Sequence, residues 1–313
     1  MQVSVIIAAH NVATTLWRAV NSCLLQGEAI GEIILVDNNS TDETGIIIDQ
    51  LVTNHPTIIT KVVETRQGSS AARNAGLRHR KFEWIQFLDA DDELLGGKID
   101  RQRKLINPET DWIMGVSVVK APGGATTTLA LGNDPWKEVV FQGGLGDMNA
   151  NLFRFEKLRE VGFFDVSLVN GIDMDLYVRL LCAGAVWTHD HVVGAVYYEH
   201  DGPRLSRRQP EILRAQEVLR KVAVADYLRV NRPAYYQQNE AFFRAAILRG
   251  IRQVYTYDRG RGQALWAEIF PSGIALDRLD RSLLPRYHTL YGVLGFHRTE
   301  CLRLMAKKWL GGS

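Results

Sequence analysis

The sequence predicts an α/β fold: an open, mostly parallel central sheet flanked by helices, followed by a helical C-terminal extension. Three observations predict it. Short apolar runs rich in β-branched residues recur through roughly the first 120 residues, and the gaps between them are helix-sized. The residues directly after each run are polar, which is how an α/β sheet presents chemistry beyond the carboxyl ends of its strands.

In chain order, the strands read as Val3–Ala8, Glu32–Val36, Ile58–Glu64, Trp84–Leu88 and Trp112–Val119. Between the first two, Leu16, Ala19, Val20, Cys23 and Leu24 recur at i, i+3, i+4, i+7 and i+8 within Ala13–Leu25. That spacing is one apolar face of a helix laid on a sheet, and it makes the segment a βαβ unit. Ser40 followed by Glu43 has the form of a capping box, so a helix is expected to begin there and to carry Ile46, Ile47 and Leu51 inward. From Lys120 to Asn149 the pattern dissolves into a Gly- and Thr-rich stretch, expected to be irregular and mobile. Asn151–Arg154 and Val192–Tyr198 read as strands flanking a helix from Asp173 to Ala183, and the remainder as helical. The division expected is residues 1–201 as an α/β domain, with halves of about 1–119 and 120–201, and 202–313 as a basic helical region.

With 313 residues, 46% hydrophobic and 23% charged, the chain can bury one sizeable core and a smaller second element. No stretch approaches the roughly 18 to 20 apolar residues that span a bilayer, and the sequence opens on a strand instead of a signal peptide. A cytoplasmic address is expected. Cys23, Cys182 and Cys301 lie far apart with no C-x-x-C pair, so neither a disulfide framework nor a thiolate metal site is suggested. Net charge is +2, but residues 202–313 hold 20 basic against 9 acidic residues, and the first 201 hold 17 against 26. An acidic half suits the gathering of cations.

Three segments at strand ends carry chemistry. Phe87-Leu88-Asp89-Ala90-Asp91-Asp92 packs three carboxylates into four positions, and such a cluster calls for a compensating cation. Oxygen-only ligands suit Mg²⁺ or Mn²⁺ shared with substrate phosphates, although a solvated acidic turn would look the same. In Val36-Asp37-Asn38-Asn39-Ser40-Thr41-Asp42, Asp37 and Asn38 can accept hydrogen bonds from a base or ribose, and the helix start beyond offers unpaired amides to an anion. An Asn-rich capped turn is the plainer alternative. The third is a glycine-led loop opening into a helix, Arg66-Gln67-Gly68-Ser69-Ser70-Ala71-Ala72-Arg73-Asn74-Ala75-Gly76, in which Arg66 and Arg73 are either phosphate partners or surface charges.

These segments, with Val3-Ser4-Val5-Ile6-Ile7-Ala8-Ala9-His10-Asn11 before them, resemble glycosyltransferase family 2 in order and spacing across roughly residues 1–201. The resemblance implies a GT-A fold and an inverting hexosyltransferase, dependent on a nucleotide-diphosphate sugar and a divalent metal. It places the donor's base and ribose near Ala8, His10, Asp37, Asn38, Arg66, Arg73 and Asp89, with Asp91 on the metal. Ala8 stands where the family usually has proline, His10 where it has tyrosine, and Asn38 where many members carry aspartate. An Asn carbonyl can still accept from an imide N–H, so UDP is the favoured carrier, ahead of dTDP and GDP.

A further segment, Gly162-Phe163-Phe164-Asp165 followed by Gly171-Ile172-Asp173-Met174-Asp175, is similar to the family's acidic acceptor-side motif, with Ile172 in the usual glutamate position. By this likeness Asp173 is the general base and Asp175 binds the acceptor or supports the base. Asp173 also opens a helix, where acidic residues are favoured in any case. Tyr197-Tyr198-Glu199-His200-Asp201 resembles the family's histidine segment and makes His200 a second candidate metal contact. The tail interleaves Arg244, Arg249, Arg252, Arg259, Arg261, Lys307 and Lys308 with apolar residues up to Leu310. It is a candidate contact for the inner membrane face and a lipid-linked acceptor, a lid, or a homodimer interface. No nucleic-acid-binding module is recognisable.

Competing function classes are discriminated in part. A nucleotidyltransferase should carry a Gly-rich phosphate loop after the first strand and an NAD enzyme a G-x-G-x-x-G, but Ala8–Ala13 contains no glycine. A non-catalytic sugar-nucleotide-binding module should have lost its acids, whereas Asp89, Asp91 and Asp173 are present. The expectation is transfer of one sugar per encounter to a hydroxyl of a saccharide or lipid-linked acceptor, in bacterial surface polysaccharide synthesis.

Overall fold

Strand β1 (Val3–Ala9) lies between two parallel neighbours, β2 (Ile30–Asp37) and β4 (Trp84–Asp89), and β3 (Ile59–Val63) extends the sheet beyond β2. A strand paired on both sides and covered on both faces shows no alternation, which is why Val3, Val5, Ile6 and Ile7 are all buried. The computed structural model describes residues 1–141, 144–199, 210–274, 279–280 and 288–309. Contacts divide the chain into two units, Met1–Gly202 and Pro203–Ser313.

The helices of the first half are α1 (Leu16–Leu24), α2 (Thr44–Asn54), α3 (Ser69–His79) and α4 (Lys98–Arg103). The face expected of α1 is the one buried: Leu16, Ala19, Val20 and Cys23 are fully covered and Leu24 partly. Helix α3 lies so close to β1 that a Cβ at Gly76 would stand 2.4 Å from Ile6 Cγ2. Such a separation excludes any side chain there without displacing the helix.

The expected capping box does not form. Helix α2 begins at Thr44, whose amide is accepted by Asp42 Oδ1 at 3.0 Å. Ser40 instead gives its amide to Asp37 Oδ1 at 3.1 Å and accepts the amide of Asn11 at 3.4 Å. The later start turns the helix, so Ile48 and Leu51 are buried, Ile47 is half-buried, and Ile46 is exposed. Ser40 and Glu43 had the form of a cap, but Asp37 and Asp42, three and two residues before the amides they accept, turn the chain ahead of the helix instead.

Beyond β4 come β5 (Glu93–Leu94), β6 (Trp112–Lys120), β7 (Thr126–Leu129), α5 (Pro135–Phe141), β8 (Leu152–Arg154), α6 (Phe155–Glu160), α7 (Ile172–Cys182) and β9 (Trp187–Tyr198). Residues 120–149, expected to be irregular, thus contain the end of β6, strand β7 and helix α5. Among the described residues the sheet order is β3-β2-β1-β4-β8-β6-β9-β5, with β7 paired to β6. The short β8 is antiparallel to both β4 and β6 and joins the parallel strands β1–β4 to β6 and β9. Trp112 stacks on Tyr177 at 4.8 Å and on Phe153 at 5.8 Å, locking α7 onto β6 and β8.

The second unit contains α8 (Pro210–Asn231), α9 (Pro233–Tyr257), α10 (Arg259–Ile269) and α11 (His288–Trp309), the last broken at Gly295. Its basic residues are not all solvated, as an amphipathic tail would have them. Arg252 and Arg303 pair at 2.9 and 2.6 Å with Glu300, which is fully buried. Arg244 pairs with Glu240. The side chains of Lys307 and Lys308, and Leu310, lie outside the described residues. No described helix is long and apolar enough to cross a membrane.

Candidate functional site

Parallel strands end in register, so β1, β2 and β4 bring their last residues to one rim: Ala8 lies opposite Val36 and Asp89, and Ala9 opposite Asp37. Helix α3 sends Arg73 to that rim, and α7 sends Asp173 to meet it. The Arg73 guanidinium, 5% exposed, donates through Nη2 to Asp89 Oδ1 at 2.7 Å and through Nη1 to Asp173 Oδ1 at 2.9 Å. Three residues far apart in sequence thus form one charge-assisted unit in which the planar fork fits both carboxylates.

Electrostatics follow from this packing. Burial opposes the charge on Arg73, but Asp89 and Asp173 outweigh it and hold the guanidinium above its ordinary range. Burial raises the Asp173 carboxyl, with Asp89 adding to the shift and Arg73 working against it. Asp175, two residues along, is held by Arg179 at 2.8 and 2.6 Å, and Arg179 also reaches the Val161 carbonyl at 2.6 Å. In this position Asp175 braces α7 against the preceding loop.

The aspartate turn separates its three acids. Asp89 and Asp91 are part-exposed at the rim, while Asp92 is buried and accepts from Asn149 Nδ2 at 2.7 Å and from the Tyr198 amide at 2.8 Å. Burial, reinforced by Asp89 and Asp91, pushes the Asp92 carboxyl up to about 9. Arg18 donates to the Asp91 carbonyl, lies 3.9 Å over the Tyr198 ring and pairs with Glu93 at 3.4 Å.

A divalent cation would meet Asp91 here, with Asp89 beside it already engaged by Arg73. Among the described residues no three His, Cys, Asp or Glu side chains are grouped to hold a metal. One or two carboxylates completed by phosphate oxygens and water is nonetheless the usual way Mg²⁺ is held, so the donor set fits a cation carried jointly with a phosphorylated substrate. His200 lies outside the described residues.

The expected base-contacting residue is placed differently from its reading. Asn38, 3% exposed, gives both amide hydrogens to the carbonyls of Glu64 and Arg66 at 2.7 and 2.8 Å, and its Oδ1 accepts the Gly68 amide at 2.8 Å. The side chain is spent on the loop that leads into α3, leaving Asp37 as the polar side chain at the end of β2. His10 Nδ1 lies 2.9 Å from the Asn38 carbonyl. Arg66 is exposed, with Nη2 3.3 Å from the Val166 carbonyl.

Several contributors escaped the sequence reading. Asn74 exchanges two hydrogen bonds with the backbone of Phe164, at 2.8 and 3.0 Å, fixing a loop in which Gly162 and Phe163 both have positive φ. Phe164 in turn lies 5.3 Å from the Arg73 guanidinium. Asn151 accepts the Gly115 amide and donates to the Leu145 carbonyl and Tyr177 Oη. A buried Asn in an apolar run must find partners, and that requirement was the available signal.

Comparison with known proteins bears on the family and the fold. The family model described as "Glycosyl transferase family 2" matches residues 4–160. An uncharacterized glycosyltransferase of Nostoc sp. is 41% identical over 101 residues, 32% of this chain and 31% of the relative. One from Haemophilus influenzae is 34% identical over 32% of this chain and 40% of its own length, so the chain matches less than half of each. A UDP-Glc:alpha-D-GlcNAc-diphosphoundecaprenol beta-1,3-glucosyltransferase of Escherichia coli is 27% identical over 76% of this chain and 93% of its own. Among solved structures, S. aureus TarS in complex with UDP-GlcNAc aligns with a TM-score of 0.63 at 14% identity, covering 100% of this chain and 93% of that one. A mannosyltransferase of Pyrobaculum calidifontis in complex with GDP-Man and Mn²⁺ aligns with a TM-score of 0.55 at 17% identity, covering 100% and 88%. Both share the GT-A fold with this chain.

Proposed function

We propose that this chain, which belongs to glycosyl transferase family 2, moves a hexose from a UDP-linked donor to a hydroxyl of a lipid-linked saccharide, with inversion at the anomeric carbon. The observation that carries the reading is the buried Arg73 fork joining Asp89, at the end of β4, to Asp173, at the start of α7. It joins a guanidinium and two carboxylates in one hydrogen-bond unit, an arrangement that suits a displacement at a phosphorylated sugar.

In that unit Asp173 takes the proton of the acceptor hydroxyl as its oxygen attacks the anomeric carbon, in line with the departing diphosphate. Arg73 lends its charge to the leaving phosphates and keeps Asp173 oriented. Asp37 and Ala8 line the nucleoside side, Asn38 positions the loop that carries Arg66, and Asp89 faces the ribose. A divalent cation on Asp91 and the donor phosphates would supply further stabilisation of the leaving group.

Two observations support the finer terms. The E. coli relative that spans most of this chain is named for a UDP-glucose donor and a diphosphoundecaprenol-linked acceptor. Residues 202–313 carry a net charge of +11, which suits an anionic membrane face. Residues 1–201 are the catalytic part in this reading. Asp91→Asn tests the metal role. Mn²⁺-dependent UDP binding is expected to weaken by roughly tenfold or more, the size of one lost charged ligand contact. Calorimetric titration at fixed UDP reads it, and unchanged Mn²⁺ affinity removes Asp91 from the metal site.

A further inference from the structure

The aspartate turn is held at both ends by one side chain from the segment between α5 and β8. Asn149, 1% exposed, accepts the Asp89 amide on Oδ1 at 2.8 Å and donates from Nδ2 to Asp92 Oδ2 at 2.7 Å. The turn closes on itself through the Asp92 amide and the Asp89 carbonyl at 3.1 Å. We infer that Asn149 is the positioning residue that sets how Asp89 and Asp91 face the donor, by clamping the first and last residues of their turn in one planar amide. The inference rests on the donor-site reading above.

The clamp is itself anchored. The Asn149 carbonyl accepts Gln86 Nε2 at 2.8 Å, and Gln86 accepts from the buried Lys98 ammonium, which also donates to Gln102 at 2.7 Å. Gln102 reaches the Ala150 carbonyl at 2.8 Å, and Asp147 accepts the Ala150 amide at 2.9 Å. The backbone on which Asn149 sits is therefore fixed from beneath by a connected network of buried polar groups. A planar amide offers one donor and one acceptor at a set spacing, and Gln, one methylene longer, would not fit the same two partners.

The chemistry suggests a reciprocal exchange. Asn149→Asp keeps the acceptor for Asp89 but loses the donor and turns a carboxylate toward Asp92 in a buried place. Adding Asp92→Asn restores a donor and an acceptor with their order reversed, and the new amide oxygen still accepts the Tyr198 amide. A residue that merely supports the fold would change the melting temperature and leave the metal requirement alone.

The experiment measures the Mn²⁺ concentration for half-maximal UDP binding by calorimetry, with melting temperatures alongside, in wild type, N149D and D92N/N149D. N149D is expected to raise that concentration about tenfold, the size of one buried hydrogen bond, and the double variant to return to within about threefold of wild type. An unchanged requirement in N149D overturns the role whatever the melting temperature, and so does a double variant that stays weak. If N149D does not fold, the double variant decides: folded with the wild-type requirement it supports the clamp, and weak or unfolded it overturns it. Wild-type protein that binds no UDP with Mn²⁺ overturns the donor-site reading itself, a separate result.

Discussion

Asp173→Asn is expected to lower turnover by roughly 10²- to 10⁴-fold, the range a positioned general base contributes, while UDP affinity stays within about twofold. The amide can still accept from Arg73 Nη1, so the fork keeps both partners and the donor side keeps its shape. What is lost is the ability to take a proton and one of the two charges on the fork. Because burial raises the Asp173 carboxyl, the wild-type rate should fall on acidification at a pH above the usual carboxylate range. The ionised form is the active one, so activity is present above that point and lost below it. Steady-state kinetics across pH with single-turnover donor binding checks both parts, and near-normal turnover in the variant removes Asp173 from the role.

Arg73→Lys is expected to be the second most damaging change, although the charge is kept. A lysine ammonium is a point charge on a flexible stem and cannot reach Asp89 and Asp173 together in the geometry of a planar fork. One of the two carboxylates is then left facing the other without a shared partner. Breaking a fully buried pair costs about 3–5 kcal/mol. Asp89 and Asp173 keep side-chain exposures of 38% and 41%, so solvent screening brings the expected loss to about 1–2 kcal/mol. Turnover should drop about 100-fold, and UDP affinity should fall as well, which separates this variant from Asp173→Asn. Thermal denaturation and UDP calorimetry read the two effects. Wild-type affinity and turnover would mean that the fork is structural only.

Much of the first half was legible because its signals are local. The runs that became β1, β2, β3 and β4 are continuous apolar strands, and the polar residues after them reached the same rim because parallel strands end in register. The aspartate triplet was legible as an acidic turn, whereas Arg73 read as a phosphate partner or a surface charge and not as the partner of two acids. What the sequence hid depends on distant partners. Asn38 looked like a free polar residue at a strand end, but its partners are backbone groups 26 to 30 residues on. Asn149 stood in a stretch read as irregular, and its partners Asp89 and Asp92 lie 60 and 57 residues away. The Ser40 cap failed for a local reason, since Asp37 accepts the Ser40 amide and Asp42 the Thr44 amide in place of a capping box.

The aspartate triplet shows the same limit from another side. Three consecutive-looking acids suggest a shared cation, yet Asp92 points into the interior while Asp89 is taken by Arg73. Composition predicted the charge of the cluster, but only the fold assigns each acid its neighbour.

Titration of the intact protein with UDP, once with Mn²⁺ and once with chelator, tests the central claim most directly. The account predicts saturable binding of UDP with Mn²⁺ that collapses with chelator, because the donor's diphosphate and Asp91 must share a cation. Binding of equal strength in chelator, or none in either condition, would contradict it.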